Sequence, residues 1–179
     1  MIELKLEIDG VAKEFNIPTN WEEVTVGQFE KLAKVEHNTN VIKYLSSVIC
    51  ALSGITEDEF FMIPADKFED MMEVLEFVVK PIDTKIKDSI IIDDEEYFIK
   101  KDFNKMNMGE IISIETLTES AESIDTIISK MLCVFLRKKV DGKLEDFKNS
   151  FMEREELFKS VIITDVHNLF NFFLTGENL

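Results

Sequence analysis

At 179 residues, with 45% hydrophobic and 31% charged residues, the chain has the balance of a folded globular protein and not of a disordered one. Its 36 acidic residues against 20 basic ones give a formal charge of −16, which repels phosphate backbones and anionic lipid, so neither nucleic acid nor membrane is an expected partner. Fifteen Phe against two Tyr and one Trp favour packing over polar chemistry, and three Pro with six Gly leave little material for long loops.

Ile2, Leu4, Leu6 and Ile8 alternate with Glu3, Lys5 and Glu7, the period-2 pattern of a half-buried strand. That opening carries neither the positive region nor the apolar run of a signal peptide. No later stretch approaches the ~18 apolar residues of a membrane span. Asp9-Gly10 suits a tight hairpin turn, and the return strand runs over Val11–Ile17, closed by Pro18. Thr25 and Gln28 have capping-box spacing, opening a helix that carries Phe29, Leu32 and Val35. A second helix starts near Thr39 or Asn40, presents Val41, Tyr44, Leu45, Val48, Ile49 and Leu52, and ends at Gly54. Thr56 and Glu59 cap a short turn containing Phe60 and Phe61. After Pro64 a helix carries Phe68, Met71, Met72, Leu75 and Val78 at helical spacing.

The pattern then restarts. Ile90 to Ile92, Asp93-Asp94 and Tyr97 to Ile99 read as a second hairpin. Asn107 and Glu110 cap a helix through Ile111, Ile114 and Leu117. A longer helix is expected over about 122–139, with Ile124, Ile127, Ile128, Met131, Leu132 and Phe135 inward. Ser150 and Glu153 open another through Leu157 and Phe158. Thr164 caps a last one with Val166, Leu169, Phe170 and Phe173 inward, ended by Gly176.

The two passes overlay. Asp9 falls on Asp93 at a shift of 84; Thr25, Gly27 and Gln28 fall on Asn107, Gly109 and Glu110 at 82; Ser46 and Cys50 fall on Ser129 and Cys133 at 83. Phe68, Met71, Met72 and Leu75 fall on Val166, Leu169, Phe170 and Phe173 at 98, the segment 137–149 supplying the extra residues. The expected fold is therefore α+β, predominantly α, built of two pseudo-repeats, 1–80 and 81–179. Each is a β-hairpin followed by three to four helices. A lone hairpin is marginal in water, so the hairpins either join in one four-stranded sheet or lie against their own helices, and the halves share a core.

Signs of catalysis are sparse. His37 sits in a polar loop and His167 on a helix flank. No nucleophile elbow, phosphate loop, CxxC or HExxH occurs, and the acidic clusters at 57–59, 93–96 and 153–156 lack calcium-loop spacing. No catalytic residue, cofactor or metal is assigned. Cys50 and Cys133 lie in apolar helical runs and are expected to be buried and reduced, which places synthesis in the cytosol. Trp21, alone between a strand and a capped helix, reads either as a hydrophobic anchor pinning that connection onto the sheet or as a partner-facing hot spot. Phe172, off the stripe of the last helix, either meets the other half or marks an exposed docking patch.

The segment IPTNWEEVTVGQFEKL at 17–32, just after a hairpin, resembles small acidic proteins from the structural and assembly gene blocks of tailed bacteriophages, in which a Pro, a Trp and a Thr-x-x-Gln-aromatic helix start recur. The resemblance covers about 30 residues. It implies a virion component (tail, head–tail connector or ring) or a tail-assembly chaperone, made in the host cytoplasm. Its partners would be other phage structural proteins or further copies of itself, ring formation included, and it implies no enzymatic activity. Two other classes remain: an acidic cellular adaptor or inhibitor that binds a basic partner protein, and an enzyme using paired carboxylates across the halves, which requires a carboxylate with a strongly raised pKa in a cleft.

Overall fold

The computed structural model describes residues 1–8, 10–83, 87–100 and 102–170. Strands β1 (Ile2–Ile8) and β2 (Val11–Ile17) form an antiparallel hairpin in the register Ile2↔Ile17 to Ile8↔Val11. The period-2 alternation turns Leu4 and Leu6 inward while Glu3, Lys5 and Glu7 face water. Asp9 lies outside the described residues; its turn partner Gly10 takes the left-handed φ of 76° that glycine adopts without strain.

Helix α1 (Val26–Leu32) starts with both halves of its capping box made, Thr25 Oγ1 accepting from the Gln28 N–H and Gln28 Oε1 from the Thr25 N–H. Helix α2 (Val41–Ser53) is capped by Asn40 Oδ1, which accepts from the amides of Ile42 and Lys43, and it ends at left-handed Gly54. Its inward stripe is Leu45, Val48, Ile49 and Leu52; Val41, expected inward, overhangs the first turn and is exposed. Thr56 caps α3 (Glu57–Phe60) in a second complete box. Helix α4 (Phe68–Val78) buries Met71, Val74 and Phe77, so its buried stripe is turned from the expected one and Phe68 stands in solvent. The cause is non-local: Trp21 packs on Phe77 and bonds the chain at Lys80, fixing the rotation of the helix end.

The second hairpin pairs β3 (Ser89–Ile92) with β4 (Glu95–Ile99) through a turn with Asp93 and Asp94 at φ 50° and 62°. The hairpins do not merge into one sheet; β4 takes β5 (Leu136–Arg137) on its other edge, in the register Phe98↔Arg137 and Ile99↔Leu136. Helix α5 (Met108–Ser120) carries the third capping box, Asn107 with Glu110. The long helix expected over 122–139 is instead a 3-10 turn at Ile124–Thr126, a break at Ile127 (φ −134°, ψ 19°) and α6 (Ile128–Phe135). Its last expected turn is extended because Leu136 and Arg137 pair with β4, an alternative that only the folded chain provides. A small hairpin of β6 (Lys139–Val140) and β7 (Lys143–Leu144) follows. Ser150 opens no α-helix: Asn149–Arg154 is 3-10, and α7 spans Glu155–Lys159. The last expected helix begins as a 3-10 turn at Ile163–Asp165 and is helical at 167–170; Phe173 and Gly176 lie outside the described residues.

The hydrophobic core is one cluster drawn from both halves, with Leu6, Ile17 and Leu45 from the first and Ile128, Leu132 and Phe158 from the second. Each such side chain, fully buried, contributes about 1.5–3 kcal/mol. Two further ties cross between the halves. The segment after α7 clasps the entry to α1: the Val26 N–H donates to Val161 O at 2.7 Å and the Ile163 N–H to Val24 O at 2.8 Å. Glu30 of α1 is buried, and its Oε1 accepts from the Ser129 N–H at 2.6 Å, capping the otherwise uncapped start of α6.

Candidate protein-contact surfaces

Trp21 opens a 3-10 turn, Trp21–Glu23, whose N-cap Asn20 accepts from the Glu22 N–H. The half-buried indole meets Phe77 edge-on at 5.2 Å and Phe29 at 5.9 Å, and its N–H donates to Lys80 O at 3.0 Å. It pins the exit of the hairpin to α1 and to the end of α4, not to the sheet. Beside it lies an open groove of about 530 Å³ lined by Thr19, Trp21, Phe77, Lys80, Lys87 and Asp165. The Lys87–Asp165 ion pair, 2.5 Å, forms one wall. Phe172 lies outside the described residues.

The N3 residues of two capping boxes each reach the end of the following long helix, by different chemistry. Gln28 Nε2 donates directly to Leu52 O, near the end of α2. Glu110 reaches α6 through Arg137, whose Nη2 donates to Glu110 Oε1 at 3.1 Å while Nη1 donates to Cys133 O and Leu136 O at 3.0 and 3.1 Å. Lys100 Nζ adds bonds of 2.7 and 2.6 Å to the Glu110 carboxylate. Burial pushes Glu110 up, but the bonds from Lys100 and the Asn107 N–H, with the Lys100 and Arg137 charges, outweigh it and hold the carboxyl below its ordinary value. Arg137 is fully buried, lies 5.0 and 5.1 Å from the ring centres of Phe147 and Phe151, and leaves Nε without a hydrogen-bond partner. Next to it Arg154 grips Glu145 in a two-pronged pair at 2.6 and 3.3 Å.

His37 is exposed against Tyr44, ring centres 5.2 Å apart. His167 is half-buried, edge-on to Phe29 at 5.7 Å; burial lowers its pKa against the raising charge of Asp125. Cys50 and Cys133 are free thiols, and burial pushes Cys133 up to about 12. The acidic runs at 57–59 and 155–156 occupy helix first turns, and 93–96 a hairpin turn. Among the described residues, the carboxylates whose pKa departs clearly from the ordinary value, such as Glu23, Glu59 and Glu145, are all lowered.

Among the described residues, several large apolar side chains are left in solvent. On α5, Met108 is 67% and Ile112 54% exposed, and Ile111 beside them is exposed too. On the first half, Val41 and Ile42 at the start of α2, Phe61 and Met62 after α3, and Phe68 are exposed. Met108 and Ile112 flank the Ile111, Ile114 and Leu117 that mark this helix in the sequence. A signal was present, because the apolar residues of α5 fall around the whole helix instead of along one stripe. No family model, curated protein or solved structure matches the chain.

Proposed function

We propose that this chain is a non-catalytic structural or assembly protein of a tailed bacteriophage, acting through protein–protein contacts. The observation that carries the reading is a division of labour among side chains. Buried and half-buried carboxylates such as Glu30, Glu110 and Glu145 are spent on internal bonds, while Met108, Ile112, Phe61 and Met62 are left to solvent. Contact surfaces need the latter; acid–base chemistry needs the former free. The 17–32 segment that resembles phage proteins forms the Trp21 corner, where anchor, turn and capping box meet.

We read the two halves, 1–80 and 81–179, as diverged copies of one unit. Element starts support this: Trp21 and Val26 stand 82 before Phe103 and Met108, Val41 stands 83 before Ile124, and Glu57 and Ala65 stand 98 before Glu155 and Ile163. The step from 83 to 98 falls where β5, β6 and β7 are inserted.

Mass spectrometry of purified particles tests the reading. Recovery in fixed stoichiometry marks a virion component; absence from particles, with tail or connector proteins recovered on affinity capture from infected cells, marks a chaperone. Capture of host proteins alone overturns both. The acidic-adaptor reading draws on the segment 57–70, where Asp58, Asp66, Glu69 and Asp70 surround exposed apolar side chains. It requires binding that collapses between low and moderate salt.

A further inference from the structure

We infer that the face over residues 61–70 docks a basic, apolar-faced segment of another protein, with Phe61, Met62 and Phe68 as its anchors. The inference rests on reading the chain as one that acts by protein contact, and it names one face and the chemistry that fits it. From Phe61 to Asp70 every residue is exposed except half-buried Ile63. Phe61, Met62 and Phe68 are 66%, 53% and 40% exposed. Their backbone is nonetheless tied down. The Met62 and Ile63 N–H groups donate to Glu59 O and Phe60 O, both at 3.1 Å, and the Lys67 N–H donates to Pro64 O at 3.0 Å. Phe61 stands edge-on to the buried Phe60 at 5.9 Å. A turn ordered in advance lowers the entropy cost of covering the side chains it carries.

The surroundings set the sign of the partner. Residues 57–76 hold eight acidic side chains and one basic one, a net −7 of the chain's −16 within 20 residues. Lys13 pairs with Glu59, and Lys67 lies 3.5 Å from Asp70. Among the described residues no cation pairs with Asp58, Asp66, Glu69, Glu73 or Glu76. Carboxylates in a helix first turn answer the helix dipole. Glu73 and Glu76 lie beyond the first turn of α4, and the dipole gives no reason for a bare Phe61 or Met62.

Charge also removes the other occupants. Anionic lipid and nucleic acid are repelled by this face. A second copy brings a further −16, and its own Lys13, Lys87, Lys100, Lys138 and Lys159 are engaged within the chain. The complement is a segment with Lys or Arg flanking an apolar stripe. Its charge speeds the encounter, and the apolar anchors slow the release.

Fluorescence anisotropy tests this, with the full chain titrated into a labelled amphipathic leucine–lysine peptide of about 14 residues. Phe61→Ser is expected to weaken binding at least about tenfold. Ile91→Ser, on β3 and just as bare, is expected to leave it unchanged. Asp66→Asn with Glu69→Gln and Glu73→Gln should weaken it about tenfold at low salt. Raising salt from about 0.05 to about 0.5 M should cost the wild type about tenfold without abolishing binding, because the anchors are apolar. Circular dichroism checks that Phe61→Ser keeps the wild-type helix content; Met62→Ser replaces it if not. No binding up to about 1 mM overturns the inference. So does equal binding of the same peptide in scrambled order, or a Phe61→Ser chain that binds as well as Ile91→Ser. Binding lost entirely at the higher salt overturns it in favour of the purely ionic adaptor. Light scattering at multiples of 20.7 kDa, abolished by Phe61→Ser, assigns the face to a second copy instead. Particle mass spectrometry decides the phage reading independently of these results.

Discussion

The corner between α1 and α2 and the corner between α5 and α6 each follow a complete capping box and are closed by different means. In the first, a neutral Gln28 amide reaches the Leu52 carbonyl in one step. In the second, Glu110 and Arg137 form a buried ion pair that reaches Cys133 and Leu136 in two. A neutral bond contributes about 1 kcal/mol net and leaves no charge behind when lost. A buried pair gains little over an apolar replacement but leaves an uncompensated charge when broken. The course of the chain after α6 explains why the second corner needs the longer reach: the chain leaves the helix as β5, and Arg137 is carried inward by pairing with Phe98.

Breaking the second corner is expected to have the largest effect. Arg137→Ala should cost about 3–5 kcal/mol in urea-induced unfolding, because Glu110 stays buried with half its charge compensation gone. The paired change Glu110→Gln with Arg137→Met imitates the neutral corner and should cost less than Arg137→Ala alone, a non-additivity that a double-mutant cycle reads directly. Gln28→Ala at the first corner should cost about 1–2 kcal/mol, losing half a capping box and leaving the Leu52 carbonyl short of a partner.

Acid separates the corners next. The folded pKa of Glu110 lies below its unfolded value of about 4.3, so its stabilisation is complete above that pH and is lost as pH falls through the folded value. Stability measured from pH 6 downward should fall below about pH 4, with a shallower acid limb in the Glu110→Gln, Arg137→Met protein. A wild type and double variant with identical acid limbs would remove Glu110 from the account. The smallest perturbation uses the cysteines. Cys50 on α2 is half-buried, whereas Cys133 on α6 is fully buried with its thiol held at about 12. Thiol titration of the native protein at pH 8 should modify Cys50 first and Cys133 only on unfolding.

Local signals carried much of the fold. Strand alternation, the three capping boxes, Gly54 and the Asp93-Asp94 turn act within a few residues, so both hairpins and the starts of α1, α2, α3 and α5 were legible. What failed was decided at a distance. α6 stops at Phe135 because β4 offers Leu136 and Arg137 hydrogen bonds, and α4 is rotated by Trp21. The contact surfaces were the least legible. An exposed Ile112 differs from a half-buried Ile114 only by what other segments bring, and no periodicity in 108–120 separates them.

The carboxylate that Glu30 lends to α6 also orders events during synthesis. Ser129 lies 99 residues after Glu30, so on the ribosome the acceptor emerges before the helix that needs it. Reversing that order, by translating 81–179 without its forerunner, would leave α6 to start against an empty site. Such a fragment should be recovered in aggregates and be rescued when 1–80 is supplied in trans.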